Sequence, residues 1–280
     1  MTAVASASKT RSRTPVLQGI KDTWVITKRN LLRNIRLPQL LILSTVQPVM
    51  FLLLFTYVFG GAIGQALPAV AQGEYLNWLV PGLLIQFAAF GAGQTAIGLT
   101  DDLSKGVIDR FRSLPMARSA VLAGRTVADT LRSSVVAIIM LTVAFLLGFR
   151  WQTSIFGMIG GLLVAGVFAF SLSWVMATIG LTVKDPESAQ AAVFLPVFPL
   201  VFASSVFVPT GTMPGWLQAF ADNQPITVVV NALRGLILGE GALPPGQTTA
   251  GQVLLALVWS LAILAVFAPL AVRIYRRTVG

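Results

Sequence analysis

Between Glu74 and Asp101, and again between Arg132 and Arg150, the chain carries no charged side chain. Crossing the hydrocarbon core of a bilayer takes about 20 apolar residues as helix. Six segments meet that need: Gln39 to Gly60, Trp78 to Leu99, Ser133 to Phe149, Ile155 to Val183, Ala189 to Val208 and Gly251 to Val272. The third holds only seventeen uncharged residues and must borrow from its flanks. Charged residues make up 11% of the 280, against about a quarter in a soluble domain, and mean hydropathy is +0.80. The expected fold is therefore an all-α membrane protein with six transmembrane helices.

The chain has no Cys and no His. Disulfide frameworks, thiol nucleophiles, zinc sites and imidazole acid/base chemistry are thereby excluded. By the span limits above, no Asp, Glu, Lys or Arg falls inside a span, which disfavours a carrier coupled to protons or sodium. There is no GxxxxGK[ST] phosphate loop either, so no nucleotide hydrolysis is expected through that motif and no cofactor on this chain.

Orientation is set by the basic residues between the spans. With the N-terminus in the cytoplasm, Arg150 and Arg234 alone of the 20 Lys and Arg residues fall in the outer gaps. The positive-inside bias thus places both termini in the cytoplasm and requires an even number of crossings. Trp78, Trp151 and Trp216 are then expected at the outer interface as an aromatic belt, with ordinary packing as the alternative. Fifteen Arg against five Lys, with abundant Ala, Gly and Val, fits a GC-rich bacterial source and hence the bacterial plasma (inner) membrane. A formal charge of +10 distributed in this way argues for a membrane surface, not for nucleic acid.

The first residues, MTAVASASKTRSRTP, are polar and basic and do not read as a cleaved signal peptide. From Leu17 to Arg36 the pattern becomes helical. Leu17, Ile20, Trp24, Leu31 and Ile35 recur at intervals of three, four and seven, while Arg29, Arg33 and Arg36 share another face. An amphipathic helix on the inner leaflet accounts for the regular stripe, and a solvated basic flank that only fixes topology is the alternative. Residues 1–36 are thus read as a basic tail with an interface helix, and 37–280 as the transmembrane domain.

DDLSKGVIDRFRSLPMAR, residues 101–118, is densely charged and lies at the cytoplasmic mouth. Leu103, Val107, Phe111 and Leu114 can line one side of a short helix there, with Lys105, Asp109 and Arg112 on another, before Pro115 interferes with its continuation. The connection runs to about thirty residues, longer than most helix-to-helix links. A docking helix for a cytoplasmic partner and an amphipathic helix resting on headgroups both fit.

Towards the other side, Pro196 and Pro199 remove backbone donors in the fifth span, and Pro209, Pro214 and Pro225 punctuate the stretch between the fifth and sixth spans. Broken helices are expected there, either as a gate or as packing, and irregular backbone at membrane depth must be covered by protein or line a wet cavity. Pro48 reads as an ordinary kink. Gly157 with Gly161, and Ala89 with Gly93, provide small faces for close helix contact.

GVIDRFRSLPMAR after the second span, PGLLIQ at its start, and FPLVFASSVFVPTGTMPGWLQAFADNQPIT through the fifth span and beyond resemble the ABC-2 family of ATP-binding-cassette exporter permeases, in particular the daunorubicin-resistance type. The likeness covers nearly the whole chain past the basic tail. NQPIT, at Asn223 to Thr227, departs from the NP-x-T often found in similar subunits. The resemblance implies the type V exporter-like fold: an interface helix carrying Trp24, Arg29, Arg33 and Arg36; six transmembrane helices; and re-entrant helices over Met213 to Leu236. It further implies a coupling helix carrying Leu103, Val107, Asp109, Arg110, Phe111, Arg112 and Leu114. An extracellular gate would draw on Pro196, Pro199, Met213, Pro214, Pro225 and Arg234. Two separate ATPase subunits, which bind the ATP and Mg, would pair with this permease and a second one.

A non-catalytic permease subunit moving an amphipathic or hydrophobic drug, polyketide or lipid out of the cell is the functional expectation. A membrane anchoring or assembly subunit with no translocation path, and an uncoupled channel, are the alternatives from other classes. An enzyme is disfavoured, because Asp101 and Asp102 stand without a second acid or nucleophile arranged beside them.

Overall fold

The computed structural model describes residues 15–36, 38–63, 67, 75–106 and 118–279. Among these residues every regular element is helical. Helix α1 is Pro15–Arg36. Helix α2, Pro38–Leu54, passes into a π-helical turn at Phe55–Phe59 and a last α-turn at Gly60–Ile63. Next come α3, Tyr75–Ser104; α4, Arg118–Leu146; α5, Ile155–Gly180; and α6, Pro186–Phe202. Two short helices, α7 (Gly215–Asn223) and α8 (Pro225–Leu238), precede the long α9, Thr249–Val279.

Five helical stretches are long and apolar enough to cross a bilayer: Ser44–Ile63, Tyr75–Ser104, Ser119–Leu146, Ile155–Gly180 and Thr249–Arg277. The protein is accordingly a multi-pass membrane protein. The fifth expected span, from Ala189 to Val208, is instead the 17-residue α6, which ends at Phe202. Asp185 starts that helix, accepting hydrogen bonds from the Ser188 backbone N–H and hydroxyl, both at 2.8 Å, which hold its carboxylate below its ordinary pKa. Pro196 and Pro199 do not break α6. They lie on its exposed side, while Ala189, Val193, Val197 and Val201, four residues apart, form the buried stripe.

Helix α3 is the centre of the bundle, and its close neighbours meet it at glycines. A Cβ on Gly82 would overlap the Val206 carbonyl, one on Gly180 of α5 would lie 2.6 Å from the Ala96 carbonyl oxygen, and one on Gly93 would lie 2.5 Å from a Val193 methyl. The Gly157 and Gly161 pair does the same for α5 against Leu236 and Ile237 of α8. Small residues give such approach in a bilayer, where lipid tails are as apolar as the side chains and association depends on packing.

Helix α1 carries two working faces. Ile26, Thr27 and Asn30 are buried against α4, where Gly124 leaves room and its carbonyl accepts the Thr27 hydroxyl at 3.2 Å. Ile20 and Trp24, from the expected apolar stripe, are 63% and 60% exposed. Leu31 is half-buried, and the side chains of Leu17 and Ile35 lie outside the described residues.

Candidate functional site

Three polar features interrupt the apolar bundle. The first lies where α3 meets the beginning of α4. Arg125 donates from Nε to Asp129 at 3.0 Å, and from Nη1 to Asp102 at 2.9 Å and to the Gly98 carbonyl at 3.3 Å. The Thr95 hydroxyl donates to the same Asp129 oxygen at 2.9 Å. Gly98 is required here, because a Cβ would overlap the guanidinium. The third span, expected to begin at Ser133, in fact belongs to a helix that begins at Arg118, so Arg125, Asp129 and Arg132 ride on an apolar helix expected to be charge-free. The two carboxylates, Asp102 and Asp129, let Arg125 sit between helices, since a lone charge at membrane depth is costly.

The second feature is the opposite end, around α8. This short helix is buried along nearly its full length. Its first turn is held by Gln224, whose Oε1 accepts the Ile226 N–H at 2.9 Å and whose Nε2 donates to the Leu200 carbonyl at 3.0 Å. Pro225 occupies the first helical position, where a missing N–H is harmless. The glutamine that departs from the resembled NP-x-T pattern thus caps α8 and ties it to the end of α6.

Arg234 projects from α8 into the break after α6. Its Nη2 donates to the Ser205 carbonyl at 2.7 Å and the Val206 carbonyl at 3.3 Å, Nη1 to the Ser205 hydroxyl at 3.0 Å, and Nε to the Trp78 carbonyl at 3.2 Å. The guanidinium carbon stands 3.4 Å from the Trp78 ring centroid. The Tyr75 hydroxyl donates to the Phe207 carbonyl at 2.9 Å, and the Ser205 N–H reaches Thr227 at 3.1 Å. Irregular backbone inside a membrane protein must have its polar groups satisfied by protein. Arg234 does much of this for the Ala203–Val208 segment, with the planar donor fork that Lys lacks.

Trp78, expected in an outer belt, is buried to 2% beneath that guanidinium, whereas Trp216 is 77% exposed at the start of α7. Of the other expected gate residues, Pro225 shares α8 with Arg234. Met213 is half-buried and Pro214 exposed ahead of α7, and Pro196 and Pro199 face outward on α6, away from the cluster. In the expected interface helix, Trp24 and Arg29 are exposed, and the side chains of Arg33 and Arg36 lie outside the described residues. Leu103 packs in the last turn of α3 with Leu99, Leu122 and Trp174. Val107, Asp109, Arg110, Phe111, Arg112 and Leu114 lie outside the described residues.

The third feature is a cavity of about 860 Å³ between α2, α3, α4, α5 and α6. Phe51, Phe87, Phe90, Phe194, Phe198 and Phe202 supply much of its wall, with Gln47, Gln86, Gln94, Gln190 and Arg132 among its polar groups. Its size and its mainly apolar lining with few polar groups are those of a site for a drug-sized molecule.

Sequence comparison agrees with this architecture. Residues 21–238 match the ABC-2 type transporter family. The daunorubicin resistance ABC transporter permease protein DrrB1 of Streptomyces coeruleorubidus is 39% identical over 241 residues, covering 85% of this chain and 80% of the relative. The probable doxorubicin resistance ABC transporter permease protein DrrC of Mycobacterium tuberculosis is 27% identical over 259 residues, covering 92% and 89%. A putative transport permease, ycf38, of Cyanophora paradoxa is 26% identical over 227 residues, covering 78% and 74%. With both the multi-helix membrane architecture and a match spanning most of its length, the chain belongs to the ABC-2 type transporter family.

Proposed function

We propose that this chain is the transmembrane permease subunit of an ATP-driven exporter, moving an amphipathic or hydrophobic molecule such as a drug, polyketide or lipid out of a bacterial cell across its plasma membrane. The observation that carries the reading is the cavity of about 860 Å³, aromatic-walled and lined by five helices, in a chain with relatives named as drug-resistance permeases. Energy comes from elsewhere: the sequence has no phosphate loop, so ATP and Mg belong to a separate ATPase, two copies of which pair with this permease and a second one.

In this reading α6 is the fifth of six crossings. Seventeen residues rise about 26 Å as helix, at the short end of what spans a bilayer. Both termini face the cytoplasm, and α7 and α8 are re-entrant helices on the outer side. The segment from Leu103 to Leu114 takes up the motion of the ATPase, and the Arg234-held break after α6 forms the outer gate. Co-expression with the partner ATPase and purification through a tag on this chain tests the division of labour. The ATPase is expected to co-elute, and this chain alone to show no nucleotide turnover above background. Reproducible hydrolysis by the isolated chain overturns the proposal.

A further inference from the structure

The cavity has a chemical polarity of its own. Seven residues beyond Arg125 on α4 stands Arg132, which lines the cavity and, among the described residues, makes no ion pair or hydrogen bond. Its nearest acid along the helix, Asp129, is engaged by Arg125 and Thr95. An unpaired guanidinium on an apolar helix is costly, and this one opens onto the cavity.

Ser133 lies against Gly91 of α3, so Arg132 is level with that part of α3. A molecule paired with Arg132 can therefore lay its apolar body against Phe87, Phe90 and Phe194.

Resting on the exporter reading, we infer that the cavity binds an acidic amphiphile: a carboxylate, sulfonate or phosphate ester on Arg132, and an apolar or aromatic body along the phenylalanines. A guanidinium pairs with such oxyanions through parallel hydrogen bonds and repels a cation. The site therefore selects against lipophilic amines, although the two groups of molecules share size and hydrophobicity.

The test uses the full chain in phosphatidylcholine nanodiscs, without ATP or partner, and reads energy transfer from the protein's tryptophans to pyrene, with empty nanodiscs as background. Pyrenebutyrate, pyrenebutanol and pyrenebutylamine carry the same ring with negative, neutral and positive ends. The acid is expected to bind saturably and about tenfold more tightly than the amine. Arg132→Gln should weaken the acid about tenfold and leave the alcohol unchanged, and Arg132→Lys should restore most of the preference.

Equal binding of amine and acid by the unaltered protein overturns the inference, as does an Arg132→Gln effect that falls equally on acid and alcohol. The exporter reading fails separately: charge-selective binding here, with no ATP-driven transport once the ATPase is supplied, removes that reading and leaves the site.

Discussion

Arg234 and Trp78 lie 156 residues apart in sequence and in van der Waals contact in the fold, the guanidinium carbon 3.4 Å from the ring centroid and its Nε bonded to the Trp78 carbonyl. The pair joins the buried α8 to the start of α3, and the remaining donors of Arg234 hold the backbone after α6. Among the described residues, no carboxylate pairs with it. Carbonyl oxygens and a π face take the place of a counter-ion.

Arg234→Ala leaves three carbonyls and the Ser205 hydroxyl without that donor. A buried acceptor left unsatisfied costs about 1–3 kcal/mol, so a loss of about 3 kcal/mol or more is expected. Arg234→Lys recovers only part, and Trp78→Leu, which keeps the backbone bonds, loses about 1–2 kcal/mol. Thermal unfolding of the purified protein in detergent measures each. A melting temperature for Arg234→Ala within about 1 °C of the unaltered protein would contradict the lock, because a loss of that size moves the midpoint of a chain this long by several degrees.

The Arg125 cluster makes a different pattern. Arg125→Gln strands Asp102 and Asp129 near each other, with an expected loss of about 3–5 kcal/mol. Removing all three charges together, as Arg125→Gln with Asp102→Asn and Asp129→Asn, should restore most of that stability, because the stranded charges rather than the missing attraction dominate the single variant. The same unfolding measurement decides. A triple variant no more stable than Arg125→Gln alone shows that the charges were not the cause.

Much of this fold is legible in the sequence, and the departures have physical sources. The apolar period of α1 marks a helix, as the structure has it, but Ile26 and Thr27, which meet Gly124 of α4, look unremarkable beside Trp24. The third span starts fifteen residues late in the sequence reading because Arg125, Asp129 and Arg132 interrupt an uncharged run, and an acid that steadies Arg125, Asp102, comes from another helix. Trp78 reads as part of an interfacial belt since a tryptophan beginning an apolar run commonly sits there, and nothing local announces an arginine in α8. Arg234 itself stands out among the gate residues, while its bonding to backbone carbonyls needs the fold. Arg132 is inconspicuous in the sequence; only the cavity sets it beside Phe87, Phe90 and Phe194.

Topology can be mapped without removing native thiols, because the chain has no Cys. Single cysteines at Ser8, Ser154, Thr212 and Thr278 should react with a membrane-impermeant maleimide in intact cells only at Ser154 and Thr212, both exposed. Labelling of Ser8 from outside would reverse the orientation, and labelling of only one of Ser154 and Thr212 would break the six-crossing topology.

The proposed coupling segment is tested by Phe111→Ala and Arg112→Ala beside Ser119→Ala as control. An aromatic anchor at an interface is worth about 2 kcal/mol or more when truncated, so Phe111→Ala should reduce ATPase co-purification and ATP-driven transport, with Arg112→Ala weaker in effect. A helix that merely rests on lipid leaves both readouts at control levels in both variants.

Transport itself is the most direct measurement: this chain and its partner ATPase reconstituted in proteoliposomes, with uptake of a fluorescent amphiphile into the population whose ATPase faces outward. Uptake should require ATP and both proteins, and should disappear when the phosphate-loop lysine of the ATPase is replaced, while this chain remains fully incorporated. Uptake that proceeds equally without ATP would contradict a coupled permease and assign this chain to uncoupled passage instead.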